Sequence, residues 1–289
     1  HDVIRRQRQM CIRDRIMGII NNKNIIYNNS KTFFWASLFL PKRILNKVIN
    51  IYSFCRTYDD IVDEGLPITS SQDAQKLEEI IKSYGISQNL IDELISGINS
   101  DVNFKRYKNN DELLRYCYKV AGVVGLMMSQ ALEIRNLEAK YFAIDLGIAM
   151  QLTNIARDIS QDYDKNRIYL PEDTGISEDT ISNMNHDNKI KIEKSVNDLL
   201  IKADIFYSSS LNGLRYIPIK SRISILIALR IYQAIGHKIK RTGTKFLKEN
   251  IYITAKEKMF LIIKSIIEFL IFFILPLHRK KHNKCLHES

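Results

Sequence analysis

The sequence predicts an all-α protein, a helical bundle around a central cavity, and three observations carry that prediction. Only 11 Gly and 5 Pro among 289 residues leave little punctuation for a strand-rich fold. Ile and Leu recur three and four residues apart through most of the chain, the period of helices buried on one face. With 45% apolar residues, the chain can bury one substantial core, although length alone also admits two smaller domains.

The helices follow in order. Pro41 opens one that runs to about Glu64, where Gly65-Leu66-Pro67 ends it. A more polar helical stretch follows to about Asn99. Asn110-Asp111 caps a helix that carries Tyr116-Cys117-Tyr118 and continues to Leu132. The next covers roughly Leu137 to Asp162 and breaks into a loop ending at Pro171. Residues 172–190 read as turn-like. Helices over about 191–213 and 219–242 come next, and a final apolar helix starts near Thr254. No repeat is evident at solenoid periods.

The net charge of +11 raises the question of nucleic acid, but its distribution argues against it. Residues 1–16 and 278–289 each carry a net +3, and the rest is scattered. No basic stripe, helix-turn-helix or zinc signature accompanies it. Residues 1–16 (HDVIRRQRQMCIRDRI) read as a non-native or disordered leader, with residues 17–258 as the helical domain. Residues 259–289 form an apolar terminal helix and basic tail. Cys11, Cys55, Cys117 and Cys285 form no C-x-x-C pair and read as reduced thiols of a cytoplasmic protein.

The terminal stretch MFLIIKSIIEFLIFFILPL contains Lys264 and Glu268 and precedes HRKK. Spanning a bilayer takes about 20 apolar residues, and two charges plus Pro276 weaken that reading. Core packing and an interfacial anchor whose basic tail meets anionic lipid stand level ahead of it. The second would place the protein peripherally at the inner face of the membrane.

Two acidic patterns carry the chemistry. In RTYDDIVDE, Asp59 and Asp63 lie four apart on one helix face, with Asp60 and Glu64 as an offset pair. In QLTNIARDISQD, Asn154, Asp158 and Asp162 fall at four-residue steps, with Gln151 one turn earlier. Like charges so spaced repel by about 0.2–0.5 kcal/mol, and more when desolvated. Mg²⁺ resolves the repulsion, because it takes oxygen ligands and bridges carboxylates to substrate phosphates. One acidic run alone is usually a solvated face. A second run inside an apolar segment, flanked like the first by an arginine, favours diphosphate chemistry. Arg56 and Arg157 suit phosphate, the plain alternative being intrahelical ion pairs. Phe33, Phe34, Tyr52, Phe54, Tyr116, Tyr118 and Tyr232 lie in or near the same segments. They offer faces to a carbocation, or simply pack in the core.

From about Ser30 to Lys258 the chain resembles the squalene/phytoene synthase family. SKTFFWASLFLPKR and INIYSFCRTYDDIVDE look like its entry region and first Asp-rich motif. LRYCYKVAGVVGLMMSQAL resembles the central motif in its bacterial phytoene synthase form. DLGIAMQLTNIARDISQDYDKNRIYLPED resembles the second Asp-rich motif, and RIYQAIGHKIKRTGTKF the late helix with Tyr232.

The resemblance implies an isoprenoid synthase fold in which Asp59, Asp63, Asn154, Asp158 and Asp162 hold Mg²⁺, with Mn²⁺ as a substitute. It implies that Arg56 binds diphosphate, helped by Ser30, Tyr52, Gln151, Asn154 and Arg157. Phe33, Tyr116, Val120, Ala121, Val124, Gly125 and Leu152 would line the tunnels for the prenyl chains. Gly122 and Gly125 are expected to leave room there. One departure is Asn250, where the family usually carries an arginine.

The implied activity is head-to-head condensation of two geranylgeranyl diphosphates to phytoene, without NADPH. A C15 head-to-head synthase and a non-catalytic assembly protein are the alternatives. The oligomeric state is not legible.

Overall fold

In a computed structural model, residues 31–63, 72–274, 280–283 and 286 are described, and among them every regular element is helical. They are α1 (Lys31–Ser37), α2 (Lys42–Asp63), α3 (Gln72–Lys82), α4 (Gln88–Asn99), α5 (Asn110–Cys117) and α6 (Val123–Ala131). α7 (Ala139–Arg157), α8 (Ile159–Tyr163), α9 (Glu178–Ser182), α10 (His186–Leu211), α11 (Ile219–Thr242) and α12 (Ala255–Ile274) follow. The expected leader falls outside the described residues.

Several boundaries differ from expectation for local reasons. The polar stretch before Asn99 is two helices, parted at Gly85 with φ +85°, a turn that glycine takes without strain. α5 is capped by Asn109, whose side chain accepts from the Glu112 amide at 3.0 Å. α10 starts at His186, capped by Asn185. Its first turns are polar, so apolar periodicity places its start too late. Residues 172–190, expected as turns, hold the short α9 with a Ser177–Thr180 capping box.

Between α5 and α6 the helix widens to a π turn over Tyr118–Gly122, which inserts a residue and rotates the side chains beyond it. This turn is wedged between two neighbours at backbone distance. A Cβ on Gly97 of α4 would lie 2.7 Å from Lys119 Cβ, and one on Gly147 of α7 would lie 2.2 Å from the Ala121 carbonyl oxygen.

The core has two halves. One gathers around α7, α10 and α11, with Leu152, Tyr207, Leu226 and Ile231 fully buried. The other joins α2, α3, α4 and α6 through Ile51, Phe54, Leu77, Ile91 and Met127. Tyr118 packs against both, so the α5–α6 segment is the seam between them. α2 and α7, the helices with the acidic patterns, lie on opposite sides of that seam.

The terminal helix α12 packs on α11 through Ile262 and Phe269, and Arg230 makes a two-pronged ion pair with Glu268. Its other face leaves Phe260 (68%), Ile263 (52%), Ile267 (54%) and Leu270 (56%) exposed. Among the described residues, no helix is long and apolar enough to cross a membrane. Residues 280–283, beyond α12, lie against the protein, where the Lys280 amide donates to the Asn212 side chain at 3.1 Å. His282, buried, lies 3.0 Å from the fully buried Asp145 of α7, which also accepts from Ser209 at 2.5 Å.

Candidate active site

The first acidic pattern sits on the last two turns of α2. Asp59 is exposed, while Asp60 is half-buried and 2.6 Å from Arg56 one turn earlier. The Asp63 side chain and Ser30 lie outside the described residues. One turn before Arg56, Tyr52 turns inward. Burial pushes its phenol up to about 12 against the pull of Arg56, while Tyr232, Asp59 and Asp60 add to the rise. Phe33 of α1 touches both Tyr52 and Tyr232, with ring centroids 5.9 and 5.4 Å away. Tyr232 is buried in α11, and Arg157 and Asp158 are the charges that act on it. The Phe33–Tyr52–Tyr232 group thus spans the interval between the two acidic patterns.

The second pattern is not one unbroken helix, contrary to expectation. α7 ends at Arg157, and Asp158 (φ −103°, ψ 15°) leaves the helical region before α8 begins. The steps survive, because the Asp158 amide still bonds the Asn154 carbonyl and the Asp162 amide the Asp158 carbonyl, at 2.9 and 2.8 Å. Arg157 closes a fork on Asp158 at 2.7 and 2.6 Å. Gln151 lies 3.4 Å from the Asn154 amide nitrogen. Leu152 points into the core beside Thr153, whose hydroxyl meets Tyr207 at 3.0 Å.

These residues fit a divalent cation by two observations. Among the described residues, none donates a hydrogen bond to the buried side-chain oxygen of Asn154. Burial, then the charge of Asp158, pushes Asp162 up to about 7 despite Lys165 and Arg167. Uncompensated hard oxygen donors of this kind suit Mg²⁺. Among the described residues, no three His, Cys, Asp or Glu side chains close into a preformed cage. The candidate oxygens are divided between α2 and the α7–α8 junction.

The expected tunnel residues divide into two groups. Val120, Ala121 and Val124 lie half-buried on the π turn and at the start of α6. Gly125 and Gly122 do not leave space beside the helix. A Cβ on Gly125 would lie 2.1 Å from the Ala143 carbonyl oxygen, and one on Gly122 would lie 3.0 Å from the Tyr118 ring, so both serve the close packing of this segment. Tyr116 clusters with Tyr107 and Tyr169, each ring within 6.5 Å of the other two, and its hydroxyl donates to Asp101 at 2.9 Å. Asp101, Tyr107, Tyr169 and Arg167 were missed by sequence reasoning. They are spread over 69 positions with no shared period. Asn250 accepts from Gln161 at 3.1 Å, so the departure from the family pattern sits beside the second motif.

The sequence pattern of the squalene/phytoene synthase family matches residues 26–79 and 71–257, well over half of the chain. The chain belongs to that family. Among relatives, it is 30% identical over 270 residues to the 15-cis-phytoene synthase of Pantoea ananas, covering 82% of this chain and 87% of that one. It is 29% identical to the phytoene synthase of Rhodobacter capsulatus, over 91% and 85% of the two chains. Its fold is similar to that of a dehydrosqualene synthase solved with a ligand, at a TM-score of 0.73 and 24% identity, covering 88% and 97% of the chains. The squalene synthase HpnC of Alicyclobacillus acidocaldarius gives 0.64 at 19%, covering 78% and 94%. The family and these relatives make the chain an enzyme of the prenyl-transferase type.

Proposed function

We propose that this chain condenses two geranylgeranyl diphosphates head to head into phytoene. The observation that carries this reading is the placement of two acidic patterns, each with its arginine, on either side of the Phe33–Tyr52–Tyr232 group. The curated phytoene synthases that it resembles over most of its length supply the substrate class.

Asp59, Asp63, Asn154, Asp158 and Asp162 would hold Mg²⁺, or Mn²⁺ in its place. When bound, the metal neutralises the diphosphate as its charge develops. Arg56 and Arg157 bind and orient the diphosphates through their forked donors. The C1–O bond of one substrate breaks, and the C2–C3 double bond of the other attacks C1. Loss of a proton closes a cyclopropane, prephytoene diphosphate. Departure of its diphosphate, rearrangement to the 1–1′ bond and loss of a second proton give phytoene. The faces of Phe33, Tyr52 and Tyr232 stabilise the cations and exclude water. No step takes a hydride, so NADPH is not required.

Incubating the protein with Mg²⁺ and no NADPH, separately with C20 and C15 diphosphates, tests the reading by mass spectrometry of the lipid extract. A C40 hydrocarbon from the C20 tube alone is the expected result. A C30 product would transfer the assignment to a C15 synthase, and silence in both, even with NADPH and lipid, would favour an assembly protein. The exposed apolar face of α12, with Lys264 on the same helix, supports a peripheral place on the cytoplasmic membrane surface.

A further inference from the structure

The second acidic motif is braced by a part of the chain that shares no sequence pattern with it. The segment between α4 and α5 is laced to the loop after α8. Arg106 donates to the Leu170 and Pro171 carbonyls at 3.1 and 3.2 Å. The Glu172 and Asp173 amides donate to the Tyr107 and Lys108 carbonyls at 2.9 and 3.2 Å. Inside this seam Tyr107, Tyr116 and Tyr169 cluster as a triangle of near-parallel rings, with Tyr116 5.3 and 5.2 Å from the other two and those two 6.5 Å apart, and Phe104 meets Tyr107 and Tyr169 edge-on. The Tyr116 hydroxyl donates to Asp101 Oδ2 at 2.9 Å and lies 3.3 Å from the Tyr169 hydroxyl. Tyr169 shares a small pocket with Asp162 and Arg167.

We propose that Asp101 is a positioning residue for the condensation, acting through Tyr116 and Tyr169 to fix the wall against which Asp162 and the loop after it take up a cation-bound diphosphate. This rests on the diphosphate reading of the site. Asp101 follows α4, whose Gly97 is wedged against the π turn, so the carboxylate is held by a rigid support. It accepts the Tyr116 proton and thereby sets the direction of that hydroxyl. Burial raises all three phenols, which therefore remain donors at neutral pH. Without Asp101 the ring cluster keeps its members but loses the anchor that orients it at the pocket Tyr169 shares with Asp162. Groups that orient a ligand in this way are typically worth about 10–100-fold in affinity or activity.

Calorimetric titration of the full chain with Mg²⁺ and inorganic pyrophosphate is the binding readout, paired with steady-state turnover of the C20 substrate. Asp101→Ala and Tyr116→Phe should each weaken pyrophosphate binding and lower kcat by about tenfold or more. KM for the C20 substrate should rise along with the weaker pyrophosphate binding, because the diphosphate contributes to both. Asp101→Asn, which keeps an acceptor for Tyr116, should recover most of the loss. The double variant Asp101→Ala/Tyr116→Phe should be no worse than the worse single one, as expected for residues acting in series. Tyr116→Phe and Asp101→Asn preserve shape and decide the matter if Asp101→Ala fails to fold. Wild-type binding and turnover with unaffected variants would overturn this inference alone. A wild type that neither binds pyrophosphate nor turns over would remove the diphosphate reading and this inference with it.

Discussion

Arg157 grips its own neighbour, with Nε and an Nη nitrogen meeting the two oxygens of Asp158 at 2.7 and 2.6 Å. The guanidinium thus lies at the second acidic motif and balances the Asp158 carboxylate. Arg157→Lys keeps the charge but loses the planar fork. Turnover of the C20 substrate should fall by about tenfold or more, and the Mg²⁺ needed for half-maximal rate should shift. Steady-state kinetics across a Mg²⁺ series checks this, and an unchanged profile would reduce the pair to helix surface chemistry.

Asp204 ties α10 to α11, accepting from Lys240 at 2.8 Å and Gln233 at 3.2 Å, with His237 at 3.5 Å. Burial opposes its ionisation, but the hydrogen bonds from His237, Lys240 and Gln233 outweigh burial and hold the carboxyl well below the usual range. A carboxyl depressed in the folded state contributes stability that is present above its unfolded value near 4. That stability is lost as pH falls through the folded value. Asp204→Asn should cost about 1.5–3 kcal/mol at pH 7. The gap from wild type should close as the pH is lowered below 4. Urea denaturation at pH 7, 5 and 3 measures it.

Gly125 and Gly147 let the α5–α6 segment meet α7 backbone to backbone. An alanine methyl would enter within 2.1 and 2.2 Å of carbonyl oxygens of Ala143 and Ala121. Backbone cannot yield as a flexible side chain does, so Gly125→Ala and Gly147→Ala should each destabilise by about 1–3 kcal/mol or more. Gly85→Ala, which meets nothing within 4 Å, should suffer only from its positive φ. Thermal melting of the three variants ranks the two costs.

His282 buries its ring against Tyr141 and Phe142, both centroids 5.2 Å away, while its nitrogen meets Asp145. Removing one partner of a buried polar pair leaves the other poorly solvated. His282→Ala should therefore cost roughly 1–3 kcal/mol. If the tail were only a lipid contact, denaturation in detergent-free buffer would show no difference.

The exposed face of α12 gives the membrane reading a direct measurement. Phe260→Asp with Ile267→Lys should abolish co-flotation with vesicles containing anionic lipid and leave the melting temperature nearly unchanged, because neither side chain packs in the core. Retained flotation would move the contact elsewhere.

Helix positions and both acidic patterns were legible because they are local. A carboxylate four residues from another shares its face wherever the helix sits, and the apolar period marks the buried stripe. The family followed from long motifs in order. The widening at Tyr118–Gly122 was not legible, since the one-residue shift it makes in the apolar period falls in a stretch that is apolar on most sides. The glycines illustrate the same limit. Their smallness pointed to free space, and only the position of α7 showed that the space was filled.

The sequence by itself determined an all-helical chain and its family, and it supplied the side chains proposed to handle a diphosphate. Tertiary structure decided which residues meet around them: Asp101 with Tyr116, Tyr232 beside Tyr52, and His282 on Asp145. Those partners lie 15 to 180 positions apart. Their meeting is set by how the two core halves close on the α5–α6 seam, a property of packing that no local pattern encodes.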